Sequence, residues 1–155
     1  MNYVLDTNIL IYYLKKHEIA NFIESQYSPL TSPNIAIISI VSIGELKSLA
    51  IQINWGDKKI KTLLNLLNQF IIVDVSSNEL VNKYAEIDAF SQGKLKSKPL
   101  EMSARNMQKN DLWIAATASI TNSTLISSDK DFSHLHNQFL NFININVEEI
   151  KNSLS

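Results

Sequence analysis

Residues 3–10, Tyr-Val-Leu-Asp-Thr-Asn-Ile-Leu, set one carboxylate between two apolar runs. Tyr3, Val4 and Leu5 read as a short buried strand, and Ile9 and Leu10 open a pattern at helical spacing, so Asp6 falls on the junction. An acid at such a junction has two uses. It can cap the helix by accepting a bond from an orphan amide, or it can serve as a metal ligand beyond the end of the strand.

Outward from this stretch the same alternation repeats. Strands are expected over 2–6, 35–39, 70–75, 124–127 and, less regularly, 141–145. Helical spacing covers 8–15, 19–26, 41–53, a face of Ile60, Leu63, Leu64 and Leu67, then 77–91 and 111–121. Pro29 and Pro33 break the second helix from the second strand, and Trp55-Gly56-Asp57 makes a turn. Short apolar strands alternating with helices imply an α/β fold, a parallel sheet covered on both faces. Ligands of such sheets gather beyond the carboxyl ends of the strands, at a topological switch point. Asp6 and Asp129 each follow a predicted strand directly.

The chain has 155 residues, 45% of them hydrophobic and 19% charged, which suits one domain, 1–155, with a core of its own. There is no cysteine, so neither disulfides nor thiolate metal sites are open to it. No apolar run approaches the roughly 20 residues that span a bilayer, and the start lacks the basic n-region of a signal peptide. A cytoplasmic protein with no membrane partner is the expectation. Net charge is −1, but residues 94–109 carry Lys94, Lys96, Lys98, Arg105 and Lys109 against Glu101 alone. A basic run is ordinarily a solvated loop. This one ends just before Asp111.

Four acids stand where elements begin or end: Asp6, Glu45, Asp111 and Asp129. Each has a structural explanation. Asp6 can cap a helix; Ser42-Ile43-Gly44-Glu45 matches the S-x-x-E capping box; Asp111 suits a helix first turn; Asp129 can cap the short segment 130–135. Together they are harder to dismiss. If the post-strand acids share the carboxyl edge of the sheet, the two helix starts can face the same cleft. Carboxylates so gathered raise one another's pKa unless a cation compensates. Oxygen donors with neither cysteine nor a nearby histidine point to a hard ion, Mg²⁺ or Mn²⁺.

The ordered blocks LDTNIL, SIGEL, NDLWIAATA and LISSDKDF, spread over residues 3–132, resemble the PIN domain family, and within it the VapC-type toxins of bacterial toxin–antitoxin pairs. The resemblance implies an α/β/α sandwich with a sheet of four to five parallel strands, four acids binding one or two Mg²⁺ or Mn²⁺ ions, and endoribonuclease activity. Asp6, Glu45, Asp111 and Asp129 match the family's four acids in order. Ser127 falls where the family has a small hydroxyl residue touching the metal waters, and Asn8 on a polar position after the first acid. Asp131 is a fifth acid beyond the pattern. The resemblance also implies an RNA substrate, a cognate antitoxin that binds across the early helices with its tail in the acidic cleft, and a homodimer.

On the residues' own chemistry, Asp6, Asp111 and Asp129 would be ligands, and Glu45 a ligand or the acceptor of the water's proton. Lys94, Lys96, Lys98, Arg105 and Lys109 would clamp a phosphodiester backbone without reading sequence, and the resemblance makes that backbone RNA. His17, His134 and His136 read as surface or packing residues, and Trp113 as core. Two rivals are weaker. A haloacid-dehalogenase-like phosphatase needs a second aspartate two residues after the first, where this chain has Asn8. A catalytically inactive PIN-like module binding RNA or protein would be favoured by the loss of one acid, and all four are present.

Overall fold

The computed structural model describes residues 1–155. Five parallel strands, β1 (Asn2–Leu5), β2 (Ile35–Ser39), β3 (Ile71–Val73), β4 (Thr124–Ser127) and β5 (Asn141–Asn144), form one sheet in the order β3-β2-β1-β4-β5. Helices α1 (Thr7–Leu14), α2 (Glu18–Tyr27), α3 (Ile40–Gln52), α4 (Asp57–Leu67), α5 (Asn78–Ser91), α6 (Lys109–Ile120) and α7 (Val147–Leu154) supply the flanking layers, with a 3₁₀ segment at Lys130–Leu135.

The period-2 alternation of the strands divides the core in two. Tyr3, Leu5, Ala36, Ile38 and Ile126 point to one face, where they meet Ile9, Leu10, Ile23, Leu46 and Leu63 of α1 to α4, and Ile150 of α7. Val4, Ile37 and Leu125 point to the other, against Leu80, Ile87 and Phe90 of α5, Leu112 and Ala115 of α6, and Phe132. Strands buried on both faces cannot alternate apolar with polar, which is why they read as nearly continuous apolar runs. The result is the three-layer α/β/α sandwich. No helix is long and apolar enough to cross a membrane.

The chain leaves β1 toward β2 and β3, then crosses back to place β4 on the other side of β1. That reversal is the switch point. Its carboxyl edge is where Leu5 and Ile126 pair, and Asp6 and Ser127 are the residues that follow them.

The structure differs from the sequence expectations in four places. Ser39, at the end of β2, caps α3 by accepting from the Val41 amide at 3.3 Å, so the helix begins before Ser42 and the Ser42–Glu45 pair is not a capping box. β3 is only three residues long, because Phe70 turns into the core and the Asp74 carboxylate takes the Val75 amide at 2.6 Å. α6 starts at Lys109, which puts that lysine and Asn110 on its first turn. Helix α7 was not apparent in the sequence; it is eight residues long and fully commits only Ile150 to the core, too little to show a period.

Candidate functional site

The site is built on β1. The Asp6 amide donates to the Ile126 carbonyl at 3.0 Å, so its backbone belongs to the sheet ladder, while its side chain begins α1. Oδ1 accepts the Thr7 amide at 2.7 Å, and Oδ2 accepts the Ser127 hydroxyl at 2.7 Å. Asp6 is therefore a cap, as one reading of the sequence had it. It is also 5% exposed with no cation beside it. Burial, only partly offset by those two hydrogen bonds and reinforced by the Glu45 and Asp129 charges, pushes its pKa from 3.8 to about 6. A cap alone needs no such burden, since a serine or asparagine does the same job uncharged.

Ser127 is the hub. Fully buried at the end of β4, its hydroxyl donates to Asp6 and accepts the Asp129 amide at 2.9 Å and Asn8 Nδ2 at 3.3 Å. Asn8 in turn accepts the Ser128 amide at 3.4 Å, tying α1 to the loop after β4. Asp129 caps the 3₁₀ segment through the Asp131 amide at 2.9 Å. Asp131 itself is exposed, at the rim.

Asp111, in the first turn of α6, lies close enough to the other four to feel their charge. Its pKa is raised to about 7, by burial first and then by the charges of Asp6, Asp129, Glu45 and Asp131. Those named charges place the five carboxylates around one region, although they come from four separate elements. No three of them converge on one point closely enough to grip an ion as the side chains stand, in keeping with mutual repulsion. None of them is in an ion pair, the one such pair of the molecule joining Lys83 to Glu86. An oxygen-only donor set, partly desolvated and lacking internal counter-charge, suits a hard divalent cation.

Two residues that sequence reasoning passed over hold Glu45. The Thr7 hydroxyl lies 2.8 Å from Glu45 Oε1 and 2.9 Å from Ser42 Oγ. Thr7 has one proton to give, so Thr7 donates to the carboxylate and the fully buried Ser42 donates to Thr7. The S-x-x-E spacing was the visible signal. It marks a clamp between α1 and α3 rather than a cap.

Two depressions flank the acids. A groove of about 590 Å³ between α1 and α3 takes Thr7, Glu45 and Asn110 at its acidic end. A smaller one, of about 250 Å³, is lined by Arg105, Asn106 and Asp131. Among the basic residues, Arg105 therefore borders Asp131, and Lys109 opens α6 two residues before Asp111. Lys98 points elsewhere. Its Nζ donates to the Gln138 carbonyl at 2.7 Å and sits 4.6 Å over the Phe139 ring. Gln138 leads into Asn141, which pairs with Thr124 at the opposite, amino end of the sheet. Lys94 donates to Gln92 at 3.4 Å and Lys96 is exposed, with nothing directing either toward the acids.

The three histidines have structural tasks. His17 caps α2, His136 Nδ1 accepts the Phe142 amide, and buried His134 meets Ser91 Oγ at 2.7 Å. Trp113 is only partly buried, its ring centroid 4.3 Å from that of Tyr84.

The frame is a three-layer parallel sandwich with acids from β1, α3, α6 and the loop after β4 around its switch point. The chain belongs to the PIN domain family, whose model matches residues 3–137. Among solved structures it is similar to VapBC2 of Rickettsia felis, bound to a fragment of promoter DNA, at 25% identity over 93% of this chain and 98% of the other, with a TM-score of 0.72. VapBC-1 of nontypeable Haemophilus influenzae is similar at 24% identity, 93% and 98% coverage, TM-score 0.68. A toxin–antitoxin complex from Klebsiella pneumoniae follows at 20% identity, 84% and 89% coverage, TM-score 0.61. No curated protein sequence matches the chain.

Proposed function

We propose that this chain is a VapC-type toxin: an endoribonuclease that hydrolyses RNA phosphodiester bonds with Mg²⁺ or Mn²⁺, inhibits translation, and is restrained by an antitoxin. The carrying observation is the pair Asp6 and Asp111, two carboxylates held at raised pKa by burial and by neighbouring acids, neither of them in an ion pair. Family membership supports the enzyme class. Similarity to the VapBC2 and VapBC-1 structures supports the partner.

Asp6, Asp111 and Asp129 are the residues that would hold the ion, with Glu45 beside them and Asp131 at the rim. When bound, a divalent ion lowers the pKa of a water and offsets charge on the phosphoryl oxygens. Ser127 and Asn8 fix the Asp6 and Asp129 side of the site. Glu45, with Oε1 committed to Thr7, keeps Oε2 to accept the proton of the attacking water. Arg105 and Lys109 meet the incoming backbone as cations. Attack by water leaves the 2′-hydroxyl unused, so the preference for RNA rests on contacts with that group or on RNA shape. A homodimer with an antitoxin segment over the acids is the expected assembly.

The test is cleavage of single-stranded RNA by the purified chain with Mg²⁺, Mn²⁺ or EDTA, beside Asp6→Asn. Cleavage should need the ion and fall at least 100-fold in the variant. Without metal, the variant should melt no lower than wild type, because asparagine caps as well as aspartate and removes a buried charge. An Asp6→Asn chain that melts well below wild type, joined to a wild type that cleaves nothing, would leave capping as the residue's whole purpose.

A further inference from the structure

Helix α3 carries Gly44 in its interior, immediately before Glu45, and the fold offers no reason for it. Glycine is the least favourable helix-interior residue apart from proline. Its φ is not left-handed, and a β-carbon built there would meet no atom within 4 Å. Alanine would fit and would stabilise the helix. The bare position instead forms part of the wall of the groove between α1 and α3.

The chemistry of that groove is specific. Ile11, Val41 and Leu49 give it apolar walls, Asn110 and Gln52 give it amides, and its only charge is Glu45. No lysine or arginine lines it, so it is not a rail for phosphates. From Glu45 to Gln52 along α3 is roughly 10 Å at 1.5 Å per residue, enough for one or two nucleotides. Apolar faces with amide donors and acceptors are what a nucleobase takes, stacking on its faces and hydrogen-bonding on its edge.

We propose that this groove is a nucleobase subsite, seating the base of a nucleotide beside the scissile phosphate, and that Gly44 is left without a side chain so that the base can lie close to α3. The proposal rests on the ribonuclease reading and adds to it a source of sequence preference. Asn110 reads the base edge at the acidic end of the groove, and Gln52 does so at the far end.

The experiment uses the full chain with Gly44→Ala and Gly44→Leu, each alone and combined with Asp6→Asn so that bound RNA stays intact. Gly44→Ala should melt at or above the wild-type temperature, and its Mg²⁺-induced rise in melting temperature should be unchanged, which shows that Glu45 has not moved. Against a fluorescein-labelled eight-nucleotide single-stranded RNA, Gly44→Leu in the Asp6→Asn background should weaken binding at least tenfold. In the active background, either Gly44 variant should change the cleavage-site preference on a mixed-sequence RNA. Unchanged affinity and unchanged preference overturn the subsite, including the case in which the groove serves a protein segment instead. Failure of the wild-type chain to cleave with either ion is a separate readout and overturns the nuclease reading, whatever the affinities.

Discussion

Thr7 sits between a carboxylate and a buried serine, and its single proton decides how Glu45 is held. With Thr7 donating to Oε1 at 2.8 Å and Ser42 donating behind it, the carboxylate has one fixed oxygen and one free. Thr7→Val keeps the shape and removes the hydroxyl. It leaves Ser42 without its partner and Glu45 free to rotate, for a loss of about 1–2 kcal/mol in whichever quantity depends on that geometry. We expect kcat on RNA to drop roughly tenfold with KM little changed, and Thr7→Ser to restore most of it. A loss confined to melting temperature, with kcat intact, would mean that the clamp serves only the packing of α1 on α3. Ser127 makes the same point at the other side of the site, where one buried hydroxyl serves three partners.

At the scale of elements, the basic segment before α6 is not uniform. Sequence gives Lys94, Lys96, Lys98, Arg105 and Lys109 equal standing, because charge and spacing are all it holds. The fold turns Lys98 to Gln138 and Phe139 at the amino end of the sheet, sets Arg105 beside Asp131, and opens α6 on Lys109, two residues before Asp111. Arg105→Ala with Lys109→Ala should therefore weaken RNA binding and flatten the slope of log affinity against log salt by about 1–2. Lys98→Ala should change neither. The measurement is a salt titration of RNA affinity, and equal effects from the two sets would return the whole segment to general charge. Helix α3 shows the same limit. Its cap, Ser39, belongs to the preceding strand, so the S-x-x-E pattern three residues on matches a capping box but lies in a helix already under way.

For the molecule as a whole, the acids and His134 give opposite pH dependences. The folded pKa values of Asp6 and Asp111 are raised from 3.8, to about 6 and about 7. Their contribution to stability is complete below pH 3.8 and is lost as pH rises through 6 and 7. His134 is lowered from 6.5 to about 4, by burial and then by Arg105, so its contribution is complete above pH 6.5 and is lost as pH falls toward 4. Two groups oppose one, so the metal-free chain in EDTA should melt higher at pH 5.5 than at pH 8. Added Mg²⁺ should raise the melting temperature at pH 8 and progressively less below pH 6, where protons compete for the same oxygens. Calorimetry from pH 5 to 8 with and without the ion measures both. A melting temperature in EDTA that climbs with pH would show that the carboxylates are not desolvated.

Sequence by itself determined the central strands β1, β2 and β4, because strands buried on both faces must be largely apolar, and it marked Asp6, Asp111 and Asp129, because each sits at an element boundary, whereas Glu45 lies inside α3. It also held the four ordered blocks that relate the chain to its family. Only the tertiary structure decided which partners each residue meets. Asp6 and Ser127 are 121 positions apart and touch because β4 pairs with β1 rather than with β3. Thr7 reaches Glu45 because α1 and α3 pack on one face, and Lys98 misses the site because its loop leans to the other end of the sheet. Periodicity is a property of neighbours along the chain. A site is a property of neighbours across it, and those are set by strand order and helix packing.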